Sequence, residues 1–376
     1  MLDLARALSR AGHDVVVMVP GSELGAPWQL EKIDGFQVLR LRSPRTKDLP
    51  YARRLVAEWL MPFSMYRNWR RSPLRKLKFD GVAFYSPSIF HSRLVKAIMR
   101  KHGARSYLIL RDIFPDWALD MGLMRPGAAY SLLKGVAKRQ YRTADVIGIQ
   151  SPGNLGLINA DDVRPDARIE VLHNWLEPRK DRGCAIDLSK SKLRGRRICV
   201  YAGNIGVAQK LDVIVDVAER LRSQSGVGFV LVGRGNDTTR IASEIMSRSL
   251  DNILMYDEID HDEIPGLYSQ ADVGLVVLDE RHRTHNIPGK FVSYMHSGLP
   301  VLAIVNPKND LIEIIQTAHV GVAHCERNAD VIAADLLKLL DQIATGEPIQ
   351  ARCKALAVNL FSAERAAAQI TQGLQG

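Results

Sequence analysis

The feature that most constrains the fold is a strand–helix alternation that runs through the whole chain. Short β-branched runs alternate with longer helical patterns, which predicts parallel sheets with helices on both faces. At 376 residues the chain is too long for one ordinary core, so we expect two such domains. The predicted strands are 14–19, 37–41, 81–85, 106–110, 146–150 and 168–172, then 197–202, 228–232, 252–256, 273–278, 300–305 and 321–324. Predicted helices include 92–101, 211–223, 238–249 and 329–343.

The predicted hinge lies in residues 173–196, which contain Pro178, Gly183 and a group of charges. It divides the chain into domains of residues 1–178 and 179–361. The start is unusual, because residues 1–10 read as an amphipathic helix. A Rossmann-like domain normally opens with a strand and a glycine-rich turn. We therefore expect either that the true start lies upstream or that the N-terminal sheet lacks its first strand.

The charge is concentrated in one segment. The chain carries a net charge of +10, and residues 40–78 hold twelve Lys or Arg against two acids, Asp48 and Glu58. Aromatic and aliphatic residues interleave these cations, which suits an anionic membrane surface. A solvated basic face is the alternative. Nucleic acid is not expected, because no recognition-helix or RNA-binding signature accompanies the charge.

The compartment is predicted from what the sequence lacks. No apolar run reaches the roughly 18–20 residues that span a bilayer. Asp3 and Arg6 interrupt any signal-peptide core at the start. The four cysteines are widely spaced without a CxxC pair, which disfavours zinc and disulfides and favours a reducing cytoplasm.

The strongest motif is YAGNIGVAQKLD. A buried strand ends at Ala202, a turn follows, and a helix is expected to begin near residues 209–210. Glycines allow close approach of a phosphate, and a helix N-terminus supplies amide donors. The candidate phosphate-binding residues are Gly203, Asn204, Gly206 and Lys210; a tight turn without a ligand is the alternative, and Asp212 is interpreted as a first-turn helix residue. GRGND repeats the pattern more weakly through Gly233 and Gly235.

The second motif is HNIPGKFVS, where a loop leads into a helix. Lys290 stands just inside the predicted helix N-terminus, where it is well placed to meet a diphosphate, although a surface lysine is the ordinary interpretation. The neighbouring candidates are His285, Asn286, Gly289 and Ser293.

In the N-terminal half, Arg111 and Asp112 directly follow a predicted strand. Ligands of open parallel sheets bind beyond the carboxyl ends of strands, so Asp112 could orient an acceptor hydroxyl and Arg111 could bind the acceptor. A plain salt bridge between them is the alternative. Ser86 follows another strand and is a candidate acceptor contact, whereas His91 on the next helix is interpreted as structural.

Together these segments resemble the retaining glycosyltransferases of family 4, whose fold is the two-Rossmann GT-B type. The nearest subgroup adds N-acetylated amino sugars or fucosamine to bacterial surface polysaccharides. The resemblance implies two domains facing a cleft, a donor held mainly by the C-terminal domain, and an acceptor held by the N-terminal domain. It also implies peripheral membrane association and a last helix, about 362–372, that returns to the N-terminal domain. The segments that carry it are LARALSRAGHDV, RDIFPDWALDMGLM, VLHNWLEP, YAGNIGVAQKLD, LVGRGND, LYSQADVGLVVL and IPGKFVSYMHSGLPVLA.

Carried over by position, the Gly203 turn matches the loop near the donor diphosphate and Lys290 matches a helix-start lysine. Residues 256–259, ending at Ile259, match the segment that holds the base. The chain also departs from the family: His285 and Ser293 replace two glutamates, and Asn204 and Gln209 stand where many members carry an arginine and a lysine.

The resemblance implies retaining transfer from a UDP-linked hexosamine derivative to a lipid-linked or lipopolysaccharide acceptor. The expected catalytic residues are Lys290, Asp112 and His285. No cofactor or metal is expected, because no DxD-like motif stands in a suitable loop. The expected location is the cytoplasmic face of the plasma membrane. Two alternatives stay open: a sugar-nucleotide epimerase of the same architecture, and a catalytically degenerate partner that binds nucleotide or lipid.

Overall fold

The computed structural model describes residues 1–46, 49–207, 209–281, 285 and 287–376, without the side chains of 51 and 52. It divides the chain into two compact units. Unit 1 comprises Met1–Trp175 together with Ala363–Gly376, and unit 2 comprises Leu176–Ser362. The first boundary therefore lies three residues before the expected one after residue 178.

Unit 1 contains two sheets. The first has the order β1-β3-β2, in which β1 (Val16–Gly21) runs parallel to β3 (Phe36–Arg42) and β2 (Trp28–Ile33) runs antiparallel to it. The second is fully parallel, with β4 (Gly81–Tyr85), β5 (Arg105–Leu110), β6 (Val146–Ile149) and β7 (Arg168–Val171) in that order. Each strand end of the parallel sheet leads into a loop, and these loops carry the predicted acceptor residues.

The strand β2 was not predicted, because its sequence WQLEKI is half polar and exposed. Its cue is the Asp34-Gly35 pair, where both residues adopt positive φ angles of 47° and 90°. Two such residues form the tight turn of a hairpin. The turn sequence could therefore have identified the hairpin that the hydrophobic pattern missed.

The helices of unit 1 include the last helix of the chain. In that helix Ala363, Ala366, Ala367 and Ile370 share one buried cluster with Leu4 and Tyr107. Gln369 also donates hydrogen bonds to the Glu170 carboxylate and the Val171 carbonyl. The helices are α1 (Leu2–Arg10), α2 (Tyr51–Trp69), α3 (Ser92–His102), α4 (Asp116–Asp120), α5 (Ala128–Tyr141) and, at the C-terminus, α13 (Ala363–Gln375). Short 3-10 helices occupy Pro73–Lys76, Pro152–Leu157 and Ala160–Asp162.

Unit 2 is built on one parallel sheet of six strands in the order β10-β9-β8-β11-β12-β13. Its central strands are apolar and buried along their full length, as a sheet covered on both faces requires. The order reverses between β8 and β11, and ligands of such sheets bind at this switch point, beyond the carboxyl ends of the strands. The strands are β8 (Arg197–Ala202), β9 (Val227–Val232), β10 (Ile253–Tyr256), β11 (Val273–Val277), β12 (Val301–Ile304) and β13 (Gly321–His324).

The helices of unit 2 alternate with these strands, which confirms the predicted α/β class with parallel sheets. They are α6 (Asp212–Arg220), α7 (Thr238–Ser247), α8 (Ile264–Tyr268), α9 (Gly289–Ser297), α10 (Asp310–Ala318), α11 (Ala329–Ala344) and α12 (Ile349–Phe361), with 3-10 turns at Leu188–Lys190 and His261–Glu263. Within the part of the chain that the structure describes, no helix is both long and apolar enough to cross a membrane.

Candidate functional site

The turn that follows β8 lies at the switch point of the unit 2 sheet. Gly203 has a φ of 142°, a conformation that favours glycine. Its amide donates to the Val232 carbonyl at 2.9 Å, and the Ile205 amide donates to the Arg234 carbonyl at 2.8 Å. The turn after β8 is therefore held along the loop that follows β9.

Gly233 and Gly235 allow the two loops to approach this closely. A Cβ atom on Gly233 would lie 1.9 Å from the Gly203 oxygen, and one on Gly235 would lie 1.9 Å from the Ile205 oxygen. No side chain fits at either distance. The GxG pattern is thus explained by packing of backbone on backbone, and the predicted donor contact of Gly233 stays a prediction.

Side-chain oxygens accept hydrogen bonds from the backbone amides at the tip of the turn. Gln209 Oε1 accepts from the Gly206 amide at 3.2 Å and from Asn204 Nδ2 at 2.8 Å. Asn236 Oδ1 accepts from the Val207 amide at 3.3 Å. An anion that binds these amides has to replace two neutral amide oxygens. Asn236 was not predicted, although its place directly after the second glycine of GRGN was a usable signal.

Lys290 lies directly beside this turn. Its Nζ stands 3.5 Å from the centroid of the Tyr201 ring and 3.6 Å from the position that a Cβ on Gly203 would occupy. Burial lowers the pKa of Lys290 to about 7. No carboxylate of the described residues forms an ion pair with it. The turn after β8 and the start of α9 therefore come together around a cation that has no counter-ion in the described chain.

The orientation of α9 is fixed by Tyr294. Its ring lies against Gly274 on β11, where an added Cβ would meet ring atoms at 2.6 Å. Its hydroxyl lies 3.1 Å from the Val200 carbonyl and 3.2 Å from the Leu275 carbonyl, and donates to them. This anchor on the sheet places Lys290, one turn earlier in the helix, over the end of β8.

Ser293 faces a different part of unit 2. It is hydrogen-bonded with the Tyr268 hydroxyl, and it lines a hollow of about 190 Å³ beside α8 and α12. Arg179, His261 and Lys354 line the same hollow. The predicted donor role of Ser293 stays a prediction.

Lys210 does not follow its predicted place. The expected helix start at residues 209–210 is wrong, because α6 begins at Asp212 and Lys210 has a positive φ of 47°. Its Nζ lies 2.9 Å from Glu280 Oε1. The Asp212 carboxylate binds the Arg240 guanidinium, Oδ2 at 3.0 Å from Nη2, as a first-turn helix residue does. Lys210 thus has a carboxylate partner of its own, in contrast to Lys290.

Two of the remaining predicted donor residues, His285 and Gly289, lie just before α9 in sequence and at its first position. His285 Nδ1 is 3.2 Å from Asp310 Oδ1, so an acid at the start of α10 meets the side chain that replaces a family glutamate. Gly289 is exposed at the first position of α9, and Ile259 is partly buried against the core of unit 2. Asn286 lies outside the described residues.

In unit 1, the Arg111 guanidinium makes its hydrogen bonds within the protein. Its guanidinium donates to the Leu172 carbonyl at 2.7 Å and to the His173 carbonyl at 3.2 Å, and it stacks 4.6 Å from the centroid of the Trp175 ring. Burial lowers the pKa of Arg111 to about 10. Arg111 thus connects β5 to the backbone that follows β7, and its expected acceptor contact stays a prediction.

The Ser86 hydroxyl also bonds to the backbone. It is 1% exposed, and its hydroxyl donates to the Asp112 carbonyl at 3.2 Å. Its expected acceptor contact stays a prediction. Burial raises the pKa of the Asp112 carboxyl. His91 is partly buried at the N-cap of α3, where desolvation lowers its pKa to about 4. The role of Asp112 stays a prediction.

The basic segment of residues 40–78 forms α2 and its surroundings, apart from residues 47 and 48, which lie outside the described residues. One face of α2 exposes five large apolar side chains: Leu55, Val56, Trp59, Leu60 and Phe63, each between 39% and 56% exposed. Arg93 from α3 lies over Phe63 at 4.7 Å, and Arg53 and Arg67 are exposed on α2. We call these five side chains and the neighbouring arginines the α2 surface.

Comparison with known families covers most of the chain. Residues 1–175 match a family described as Glycosyl transferase 4-like domain, and residues 196–342 match one described as Glycosyl transferases group 1. The putative colanic acid biosynthesis glycosyl transferase WcaI of Escherichia coli K12 is 24% identical over 265 residues, covering 67% of this chain and 63% of WcaI. The probable glycosyltransferase WbjE of Pseudomonas aeruginosa is 22% identical, covering 64% of this chain and 60% of WbjE. The match thus spans less than two thirds of either relative.

Solved structures share the fold at low sequence identity. Sucrose-phosphate synthase from Thermosynechococcus elongatus superposes with a TM-score of 0.72 at 15% identity, over 98% of this chain and 90% of the synthase. Anabaena HepE in complex with UDP gives a TM-score of 0.62 at 13% identity, over 90% of this chain and 86% of HepE. These likenesses confirm the predicted GT-B fold class.

Proposed function

We propose that this chain transfers a sugar from a nucleotide-diphosphate donor to an acceptor hydroxyl, because residues 1–175 match the glycosyl transferase 4-like domain family and residues 196–342 match the glycosyl transferases group 1 family. One observation carries the proposal. The Lys290 ammonium, which has no carboxylate partner among the described residues, lies against the Gly203 turn, at the switch point of the unit 2 sheet. A cation beside turn amides suits a pyrophosphate.

In the proposed reaction, the bond between the sugar C1 and the β-phosphate oxygen breaks while the acceptor oxygen bonds to C1 on the same face. The acceptor proton passes to the departing phosphate, so the configuration at C1 is retained without a protein nucleophile. Negative charge develops on the leaving diphosphate. Lys290 stabilises this charge electrostatically, which is where a fixed cation in a dry site has its largest effect. We propose that no resident metal is needed for this step.

The proposed donor is a UDP-linked N-acetylated hexosamine derivative, and the proposed acceptor is a lipid-linked or lipopolysaccharide sugar. The similar HepE structures were solved with UDP or UDP-glucose, which supports a UDP-linked donor. The acceptor class rests on the family resemblance of the sequence motifs, and the relative WcaI is named as a putative glycosyl transferase of colanic acid biosynthesis. His285, held by Asp310, is the proposed contact to the donor sugar, and Asp112 the proposed contact to the acceptor hydroxyl.

We further propose that the chain works at the cytoplasmic face of the plasma membrane, with residues 40–78 on the anionic lipid surface. The α2 surface supports this proposal, since its apolar stripe has the size of an interfacial anchor and is flanked by arginines. Vesicle flotation with phosphatidylglycerol tests it. Trp59→Ser combined with Phe63→Ser should release the protein from these vesicles, and equal binding of the variant would contradict the proposal.

The test of the proposed function is the affinity of the purified full chain for UDP, with GDP and dTDP as competitors. Replacing Lys290→Ala should weaken UDP binding about 30-fold, which is about 2 kcal/mol for one charge-assisted contact. Lys338→Ala, a change at a 74% exposed lysine of α11, is the matched control and should leave the affinity unchanged. Equal affinity of the Lys290 variant and the wild type would refute the assignment.

A second candidate function is supported by the occupied turn amides. The side-chain oxygens of Gln209 and Asn236 accept the hydrogen bonds that phosphate oxygens would accept from the turn amides. His285 and Ser293 replace the family glutamates. A catalytically degenerate nucleotide-binding partner of another transferase would keep such a site without turnover. Incubation with labelled UDP-sugars and polyprenyl-diphosphate-linked acceptors decides: product with retained configuration supports the transferase, and UDP binding without product supports the partner.

A further inference from the structure

We propose that Tyr201 is a positioning residue of the diphosphate site: its ring holds the Lys290 ammonium in place, and its hydroxyl fixes the Gly203 turn. The inference rests on the proposed function, because it concerns the same site. Tyr201 is the penultimate residue of β8 and is 0% exposed, so it contacts no ligand directly. It acts through the two elements that come together above it.

The ring is the first element of the argument. Lys290 Nζ lies 3.5 Å from the ring centroid, within the distance at which the negative face of an aromatic ring attracts a cation. This attraction is strongest where water is excluded, and burial of Lys290 is what lowers its pKa to about 7. Without a carboxylate partner among the described residues, the ring is the group in contact that favours the charged amine.

The hydroxyl is the second element. It donates to the Asn204 carbonyl at 2.6 Å, across the turn that follows β8. Burial raises the pKa of the Tyr201 hydroxyl well above its usual value, so it stays a donor. The two phenols that interact with it, Tyr268 and Tyr294, also have pKa values raised by burial and stay uncharged at neutral pH. Among the described residues, the charged group that contacts the Tyr201 ring is therefore Lys290.

These two contacts distinguish Tyr201 from an ordinary core residue. A leucine at this position would fill part of the same volume, but it would supply neither a negative face nor a donor. One side chain sets both the position and the charge of Lys290 and the course of the Gly203 turn. Weakening the ring's negative face should therefore reduce diphosphate binding only while Lys290 is present.

The experiment replaces Tyr201 in the full chain with phenylalanine or with trifluorophenylalanine, which keeps the shape of the ring and removes most of its negative face. UDP affinity is measured at pH 6 and pH 8, in the Lys290 and the Lys290→Ala backgrounds. We expect Tyr201→Phe to weaken binding about threefold through the lost hydroxyl bond. The trifluoro variant should weaken it about tenfold further at pH 8 and less at pH 6, where the amine is charged.

In the Lys290→Ala background the two ring variants should bind UDP equally. Because both rings fill the same space, neither variant depends on the fold tolerating a cavity, and their unfolding midpoints provide the check. If Lys290→Ala weakens UDP binding but fluorination does not, the role of Tyr201 is overturned and the proposed function stands. If Lys290→Ala leaves UDP affinity unchanged, both are overturned.

Discussion

Lys290 in unit 2 and Arg111 in unit 1 make an instructive comparison, because both cations follow strands of a parallel sheet. Arg111 comes directly after β5 and donates to two backbone carbonyls, at Leu172 and His173. Lys290 lies over the end of β8, where it meets an aromatic ring and a glycine. Arg111 is buried and Lys290 is partly buried, and desolvation lowers their pKa values to about 10 and about 7. They differ in the groups that contact them: backbone carbonyls accept hydrogen bonds from Arg111, whereas an aromatic ring faces Lys290.

The comparison shows that position after a strand is not enough to identify a ligand residue. A buried cation that already makes hydrogen bonds to carbonyls contributes to the stability of its own unit. A buried cation without a carboxylate or carbonyl partner costs free energy unless a ligand supplies the partner. A cation without such a partner therefore indicates a candidate ligand site, whereas a cation bonded to carbonyls has a structural role. The predictions below test this distinction, from the largest expected effect to the smallest.

The first prediction concerns the backbone contact on which the unit 2 turn depends. Gly235→Ala would place a Cβ 1.9 Å from the Ile205 oxygen, so the two loops have to separate. We expect it to destabilise unit 2 by about 3 kcal/mol, as overpacking does. Chemical denaturation measures this effect. Gly226→Ala, where an added Cβ meets nothing within 4 Å, is the control, and equal midpoints for the two variants would contradict the packing role.

The second prediction tests the structural role of Arg111. Arg111→Met should destabilise unit 1 by about 2 kcal/mol, because the carbonyls of Leu172 and His173 lose their donor. UDP affinity should stay within about twofold of the wild type. Arg142→Met is the matched control, since Arg142 also donates to a carbonyl, that of Asp161, but is exposed. A large loss of UDP affinity with unchanged stability would reverse the comparison.

Much of the fold could be predicted from the sequence because parallel strands buried on both faces are written as continuous apolar runs. The central strand 197–202, buried from Ile198 to Ala202, has the predicted bounds in the structure. The antiparallel β2 was missed because one exposed face leaves its sequence half polar. The helix start after the Gly203 turn was placed too early, since a positive φ at Lys210 delays it to Asp212.

The candidate site was less predictable, because partners distant in sequence decide what each polar residue does. The motifs indicated Gly203 and Lys290, and the structure brings them together. The motifs could not indicate that Lys210 pairs with Glu280, 70 positions away. Nor could they indicate that Arg111 donates hydrogen bonds to the carbonyls of Leu172 and His173. Tyr201 was missed for a related reason: it reads as one more apolar residue of a buried strand.

The third prediction concerns pH. The amine of Lys290 is charged below a pKa of about 7 and neutral above it, and a diphosphate binds the charged form. UDP affinity should therefore fall about tenfold as the pH rises from 6 to 8, since the charged fraction falls by that factor. Titration calorimetry measures it. Lys290→Gln is the control that isolates the ionisation of UDP itself, and an equal pH dependence in both proteins would contradict the prediction.

The smallest expected effect belongs to Lys210, the lysine that the sequence placed at the same turn. Its Nζ is paired with Glu280, and both side chains are about half exposed, at 41% and 51%. An exposed pair of this kind contributes about 0.5 kcal/mol, so Lys210→Gln should change UDP affinity less than twofold and stability little. Lys290→Gln, measured in the same assay, provides the contrast. If the two variants lost UDP affinity equally, an existing carboxylate partner would not exclude a lysine from the site, and the distinction drawn between Lys290 and Arg111 would fail with it.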